Sequence, residues 1–147
     1  MSRINPEQSV IVFDLDDTLY AEYEYKCSGI RAVTALVAKL YPEFGETELL
    51  EKIDADGNGW LDELCALCNF NSEEKKSLLW YYRLHTPVLT PYWHPQKLAA
   101  FIRRFAAAAL ITDGRSLTQR LKLDALGIRC LFDEILVSES SGQEKPD

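Results

Sequence analysis

Three short apolar runs, each broken off by polar residues, constrain this chain more than any other feature. They are "SVIVFD" (9–14), "AAAALITDG" (106–114) and "EILVSES" (134–140). A β-branched run of this length without polar alternation suits a strand buried on both faces, as in a parallel sheet. Helical patterns flank the second run. "PQKLAAFIRRF" precedes it, with Pro95 opening the helix at its first turn. "SLTQRLKLDALG" follows it, with Ser116 as the expected cap and Gly127 as the stop signal. Residues 1–20 and 92–147 therefore alternate strand and helix, which predicts an α/β core with a parallel sheet.

Between the first and second runs the pattern is different. From Cys27 to Tyr41 the apolar residues approximate a helical stripe, and "GETELLEKI", "DELCALCNF" and "SEEKKSLLWYYRLH" continue in the same period. Ser72 is the expected cap of the last of these, with Glu73 and Glu74 in its first turn. Residues 21–91 thus read as an inserted helical module.

One loop in that module imitates a calcium site. "DADGNGWLDELC" (54–65) places Asp54, Asp56, Asn58 and Asp62 at ligand positions and Gly59 at the sixth, where such a loop must turn. The twelfth position needs a bidentate glutamate, and Cys65 stands there, a soft ligand that calcium does not favour. The stretch reads better as a connector between helices, with Asp54 or Asp56 as a cap.

Composition narrows the function classes. Hydrophobic residues make up 47% of the chain and the net charge is −7, which argues against a nucleic-acid or anionic-membrane surface. No apolar run approaches membrane-spanning length. Cys27, Cys65, Cys68 and Cys130 show neither a disulfide framework nor a zinc spacing, so a reduced, cytoplasmic protein is expected.

In open parallel sheets, ligands bind outside the carboxyl ends of the strands. The first run delivers Asp14, Asp16, Asp17 and Thr18 to that edge, the second Thr112, Asp113 and Gly114, and the third leads to Lys145. A lone carboxylate after a strand means little. Carboxylates, then a hydroxyl, then an amine at three consecutive strand ends resemble the haloacid dehalogenase-like (HAD) hydrolase superfamily. Its D-x-D-x-T motif appears as "DLDDT", its second motif as "ALITDGR" and its lysine motif as "SGQEKPD".

The resemblance implies a Rossmann-like core and assigns the 21–91 insert to the place of the family's cap domain. It implies Asp14 as the nucleophile of an aspartyl-phosphate and Asp16 as the acid and base. Thr112, Asp113 and Lys145 would bind the phosphate. Mg2+ would bridge the Asp14 carboxylate, the Asp16 main-chain carbonyl and the substrate. Asp17 reads as a capping or solvated residue. Carbon–halogen cleavage needs no acid for an alkoxide leaving group, and dehalogenase members typically lack an Asp at the place of Asp16. Its presence favours a phosphatase acting on a small phosphorylated metabolite, with a phosphomutase also open.

The family's fourth motif, an acidic cluster completing the magnesium site, has no counterpart before Asp147. The expectation is an incomplete three-strand core with weak activity and possible self-association through its exposed sheet edge. A non-catalytic remnant binding a phosphorylated ligand or a protein is the alternative, and a calcium-binding helical module is the third class.

Overall fold

A computed structural model describes residues 3–141. The chain divides into two compact units, one of residues up to 24 together with those from 88 onward, the other Tyr25–Pro87. The sequence pattern had set the insert at 21–91.

The first unit holds a parallel sheet in the order β1-β2-β3, built from β1 (Val10–Phe13), β2 (Ala107–Thr112) and β3 (Glu134–Val137). Phe13 pairs with Leu110, and Thr112 pairs with Val137. All three strands therefore end close to one sheet edge. The rest of "EILVSES" does not extend the strand: Ser138–Ser141 turn into a short helix. In β2 the buried positions alternate, with Ala108, Leu110 and Thr112 on the covered face. Asp133 fixes the start of β3 against β2, exchanging two hydrogen bonds of 2.8 Å with the Ala108 backbone.

The expectation that the first strand is buried on both faces does not hold. Val10 and Val12, two residues apart and so on one face of β1, are 60% and 55% exposed, and among the described residues β1 pairs only with β2.

The helix after β2, Ser116–Leu126, ends at Gly127, whose left-handed backbone (φ 71°) supplies the expected stop. Its N-cap is Arg115 rather than Ser116, with no capping side chain of its own. Residues just after β3 approach this helix start instead: Glu139 Oε1 lies 3.4 Å from Ser116 N–H, and Ser138 Oγ accepts from Gly114 N–H at 3.0 Å just before it. The helix before β2, Pro95–Ile102, does start on Pro95.

The second unit is helical. It contains most of α1 (Glu22–Leu40), then α2 (Glu46–Lys52), α3 (Trp60–Cys68) and α4 (Ser72–Leu84). We number the later helices α5 (Pro95–Ile102), α6 (Ser116–Leu126) and α7 (Ser138–Ser141). Ile30, Val33, Val37, Leu49, Leu61 and Leu64 form its core, together with Trp60 and the buried thiols Cys65 and Cys68. The capping residue of α4 is Asn71, one position before the expected Ser72. Asn71 and Glu74 exchange side-chain and main-chain hydrogen bonds in a reciprocal box, an arrangement Ser72 cannot reach from the first helical position.

The calcium-like loop is closed by its own groups together with Lys26 of α1. Asp54 Oδ1 accepts from Asp56 N–H at 3.0 Å, and Lys26 Nζ donates to the Gly57 carbonyl at 2.6 Å. Neither Asp54 nor Asp56 caps α3, whose N-cap is Gly59. All four cysteines are free. No helix among the described residues is long and apolar enough to cross a membrane.

Candidate active site at the strand ends

Asp14 directly follows β1 and is exposed. Its Oδ1 accepts from the Leu15 N–H at 2.7 Å, which fixes the carboxylate beside the main chain. The chain then turns sharply, with Thr18 and Leu19 N–H both donating to the Leu15 carbonyl. Leu15 and Leu19 are buried beneath this turn, and Asp17 occupies a left-handed conformation (φ 60°) within it. Asp17 Oδ1 accepts from Glu22 N–H at 2.9 Å, so this residue caps the start of α1.

Asp16 faces a set of donors. Its Oδ1 accepts from Lys122 Nζ at 2.9 Å and from the Tyr20 hydroxyl, and its Oδ2 accepts from Gln119 Nε2 at 2.9 Å. Its side chain is 22% exposed, whereas that of Lys122 is only 7% exposed. Burial pushes the Asp16 carboxyl up. The Lys122 charge and the hydrogen bonds from Tyr20, Lys122 and Gln119 outweigh it and hold the group below the usual carboxylate range. Nearby Glu22 is pushed up, first by burial and then by repulsion from Asp16 and Asp17.

Thr112, the last residue of β2, is buried, as its place on the covered face dictates. Its hydroxyl accepts from Gln119 Nε2 at 2.7 Å. Asp113 is exposed, and its carbonyl lies 3.2 Å from the same amide nitrogen. Gln119 thereby ties the loop after β1 to the end of β2. Lys145, the remaining expected phosphate ligand, lies outside the described residues.

Gln119, Lys122 and Tyr20 were not among the sequence candidates, although a signal existed for two of them. Positions 119, 122, 123 and 126 follow the i, i+3, i+4, i+7 stripe of α6, and Leu123 and Leu126 hold the apolar part of it. An amide and an ammonium on a stripe that should be apolar imply a partner inside the fold.

Among the described residues, no group of three His, Cys, Asp or Glu side chains is placed to hold a metal. The donors suited to a hard cation are the exposed Asp14 carboxylate and the Asp16 main-chain carbonyl, since the Asp16 carboxylate is engaged by Lys122. Magnesium takes one or two carboxylates from a protein and keeps several waters, so this donor set fits it as part of a site.

Three comparisons bear on the family. The sequence profile described as haloacid dehalogenase-like hydrolase matches residues 11–147. A glyceraldehyde 3-phosphate phosphatase of Methanocaldococcus jannaschii is 32% identical over 147 residues, covering 92% of this chain and 64% of that protein. The chain thus spans less than two thirds of that relative's length. YfnB of Bacillus subtilis, described as a HAD-hydrolase and solved bound to magnesium, shares the fold at a TM-score of 0.56 and 15% identity, over 96% of this chain and 68% of its own. A 2-haloacid dehalogenase of Pseudomonas syringae does so at 0.57 and 19%, over 95% and 68%. With the family profile matching residues 11–147 and a phosphatase relative at 32% identity, this chain belongs to the haloacid dehalogenase-like hydrolases.

Proposed function

We propose that the chain carries the phosphatase chemistry of this family and hydrolyses a small phosphate monoester through an aspartyl-phosphate. The observation that carries the reading is the pairing at the end of β1. Asp14 presents an exposed carboxylate, and Asp16, two residues on, is held by its own donors beside the end of β2. The phosphatase relative supports a phosphorylated metabolite as substrate.

In this reading an Asp14 oxygen attacks phosphorus and the ester P–O bond breaks. The departing oxygen takes a proton delivered through Asp16. Water then gives a proton back to Asp16 and attacks the same phosphorus, releasing orthophosphate and restoring Asp14. The ionised Asp16 of the resting structure suits this second step directly. The first step requires a proton to reach it before the leaving group departs. The Asp113 amide and the Thr112 hydroxyl would bind phosphate oxygens, the latter after exchanging its bond with Gln119. Lys145 would offset charge on the transferring group. Asp14 and the Asp16 main-chain carbonyl would hold Mg2+, which when bound offsets the repulsion between carboxylate and phosphate. We assign the helical unit, inserted between β1 and α5, the place of the family's cap.

The test is turnover of p-nitrophenyl phosphate with magnesium present. Asp14→Asn replaces the nucleophile with a neutral amide, and activity should vanish. Retention of wild-type turnover by Asp14→Asn would exclude nucleophilic catalysis there.

A further inference from the structure

Lys122 is costly where it sits. It is 5% exposed on the face of α6 that also buries Leu123 and Leu126, and replacing a buried ion pair with apolar residues is often neutral or stabilising. Stability alone therefore gives no reason for an ammonium at this position. The same holds for Gln119, 2% exposed one turn earlier.

Both side chains converge on one carboxylate, and each takes a different oxygen of it: Lys122 Nζ reaches Asp16 Oδ1, and Gln119 Nε2 reaches Asp16 Oδ2. Two donors on two oxygens fix the carboxylate plane, whereas one ion pair would leave it free to rotate. The Tyr20 hydroxyl adds a third contact, and Lys122 Nζ lies 5.9 Å from the centre of the Tyr20 ring, which packs the ammonium from another side. Gln119 is itself pinned by Thr112, so the plane of Asp16 is referenced to the end of β2.

We propose that Lys122 and Gln119 are positioning residues that hold the Asp16 carboxylate in the orientation needed to pass a proton to the leaving oxygen. This rests on the proposed phosphatase reading, in which Asp16 is the acid. In that reading neither residue has a direct contact with the substrate to make: their bonds go to Asp16, Thr112 and Asp113. Lys122 reaches the reaction through Asp16, whereas Gln119 also holds the Thr112 hydroxyl, an effect that would fall on every ester alike. The part that passes through Asp16 should depend on how much the leaving group needs a proton.

That dependence is measurable. An alkyl leaving group, as in glycerol 3-phosphate, departs with a proton, whereas p-nitrophenolate departs without one. The experiment compares kcat/KM on these two esters, with magnesium present, for the full chain carrying Asp16→Asn, Lys122→Met, Lys122→Arg or Gln119→Leu. General acid catalysis contributes about 10²–10⁴-fold, so Asp16→Asn should lose that much on the alkyl ester and far less on p-nitrophenyl phosphate. Lys122→Met and Gln119→Leu should lose about 10-fold or more on the alkyl ester relative to the aryl one. Lys122→Arg, which keeps the charge and donors, should recover part of the loss.

If Asp16→Asn discriminates between the esters but Lys122→Met and Gln119→Leu lower both equally or neither, the two residues are structural and the inference is overturned. Should Lys122→Met fail to fold, the Gln119→Leu and Lys122→Arg pair decides the same question. An Asp16→Asn variant that does not discriminate defeats the phosphatase reading itself. So does a wild-type chain that turns over neither ester.

Discussion

Gly29 lies inside α1, where helix propensity alone favours alanine by about 1 kcal/mol. The packing reverses that sign. A Cβ at this position would stand 2.1 Å and 2.3 Å from two carbons of the Tyr82 ring and 3.1 Å from His85 Cε1. Carbon atoms pack at about 3.5–4.0 Å, so the ring must retreat by more than about 1 Å. It has little room to do so. Trp60, Tyr25 and His85 surround it, with ring centroids 5.2, 5.4 and 5.9 Å away. Tyr25 Oη also donates to the Tyr82 carbonyl at 3.2 Å, which ties the Tyr82 backbone in place. Overpacking of this kind costs about 1–3 kcal/mol, and disturbing one aromatic pair adds about 0.5–1.5 kcal/mol. After subtracting the propensity gain, Gly29→Ala should destabilise the protein by about 1–3 kcal/mol, a fall in Tm of roughly 3–10 °C for a chain of this size. Urea unfolding followed by tryptophan fluorescence suits the measurement, since Trp60 sits against the displaced ring. In a Tyr82→Ala background the ring clash is gone and only the 3.1 Å approach to His85 Cε1 remains, so Gly29→Ala should cost clearly less there than in the unaltered protein. A Gly29→Ala protein more stable than wild type in the unaltered background would refute the reasoning.

Gly114, at φ 137°, adopts a backbone that side chains rarely take, and a Cβ there would meet Gln119 Cδ at 3.0 Å. Gly114→Ala should cost about 1–3 kcal/mol in thermal unfolding and also shift Gln119, so the loss should be larger than in a Gln119→Ala background. His85 is buried, its Nδ1 2.6 Å from the Tyr82 carbonyl and its Nε2 3.0 Å from Ser28 Oγ. Because a carbonyl only accepts, Nδ1 carries the proton and Nε2 accepts from Ser28. Burial lowers the His85 pKa, partly offset by the bond to Tyr82. Its contribution to stability is therefore complete above the unfolded value of about 6.5 and is lost as pH falls from there through the lowered folded value. Thermal unfolding from pH 8 to pH 5 should show wild type losing more stability than His85→Gln below that point, and parallel curves would contradict it.

The strand ends were legible in the residues. Short apolar runs followed by Asp14, Asp113 and Ser138 appear as strands in parallel register, because apolar and β-branched residues favour a pleated, partly buried backbone and the polar residues after them do not. Capping positions were legible only to within one residue. Asn71 displaces Ser72 because the choice depends on which side chain reaches the third helical N–H, and Arg115 displaces Ser116 because Ser138 and Glu139 arrive from β3. The exposure of Val10 and Val12 could not be read from their apolar character, since it depends on what packs over their face of the sheet. The nearest partners of Asp16 were out of reach for the same reason: Gln119 and Lys122 lie 103 and 106 residues further along the chain. The amino-acid sequence by itself determined the elements, the family and which polar side chains follow each strand, because periodicity and motif spacing are local. Only the tertiary structure decided which donors hold Asp16 and which glycines have no room for a methyl group, because those are set by side chains that meet through space.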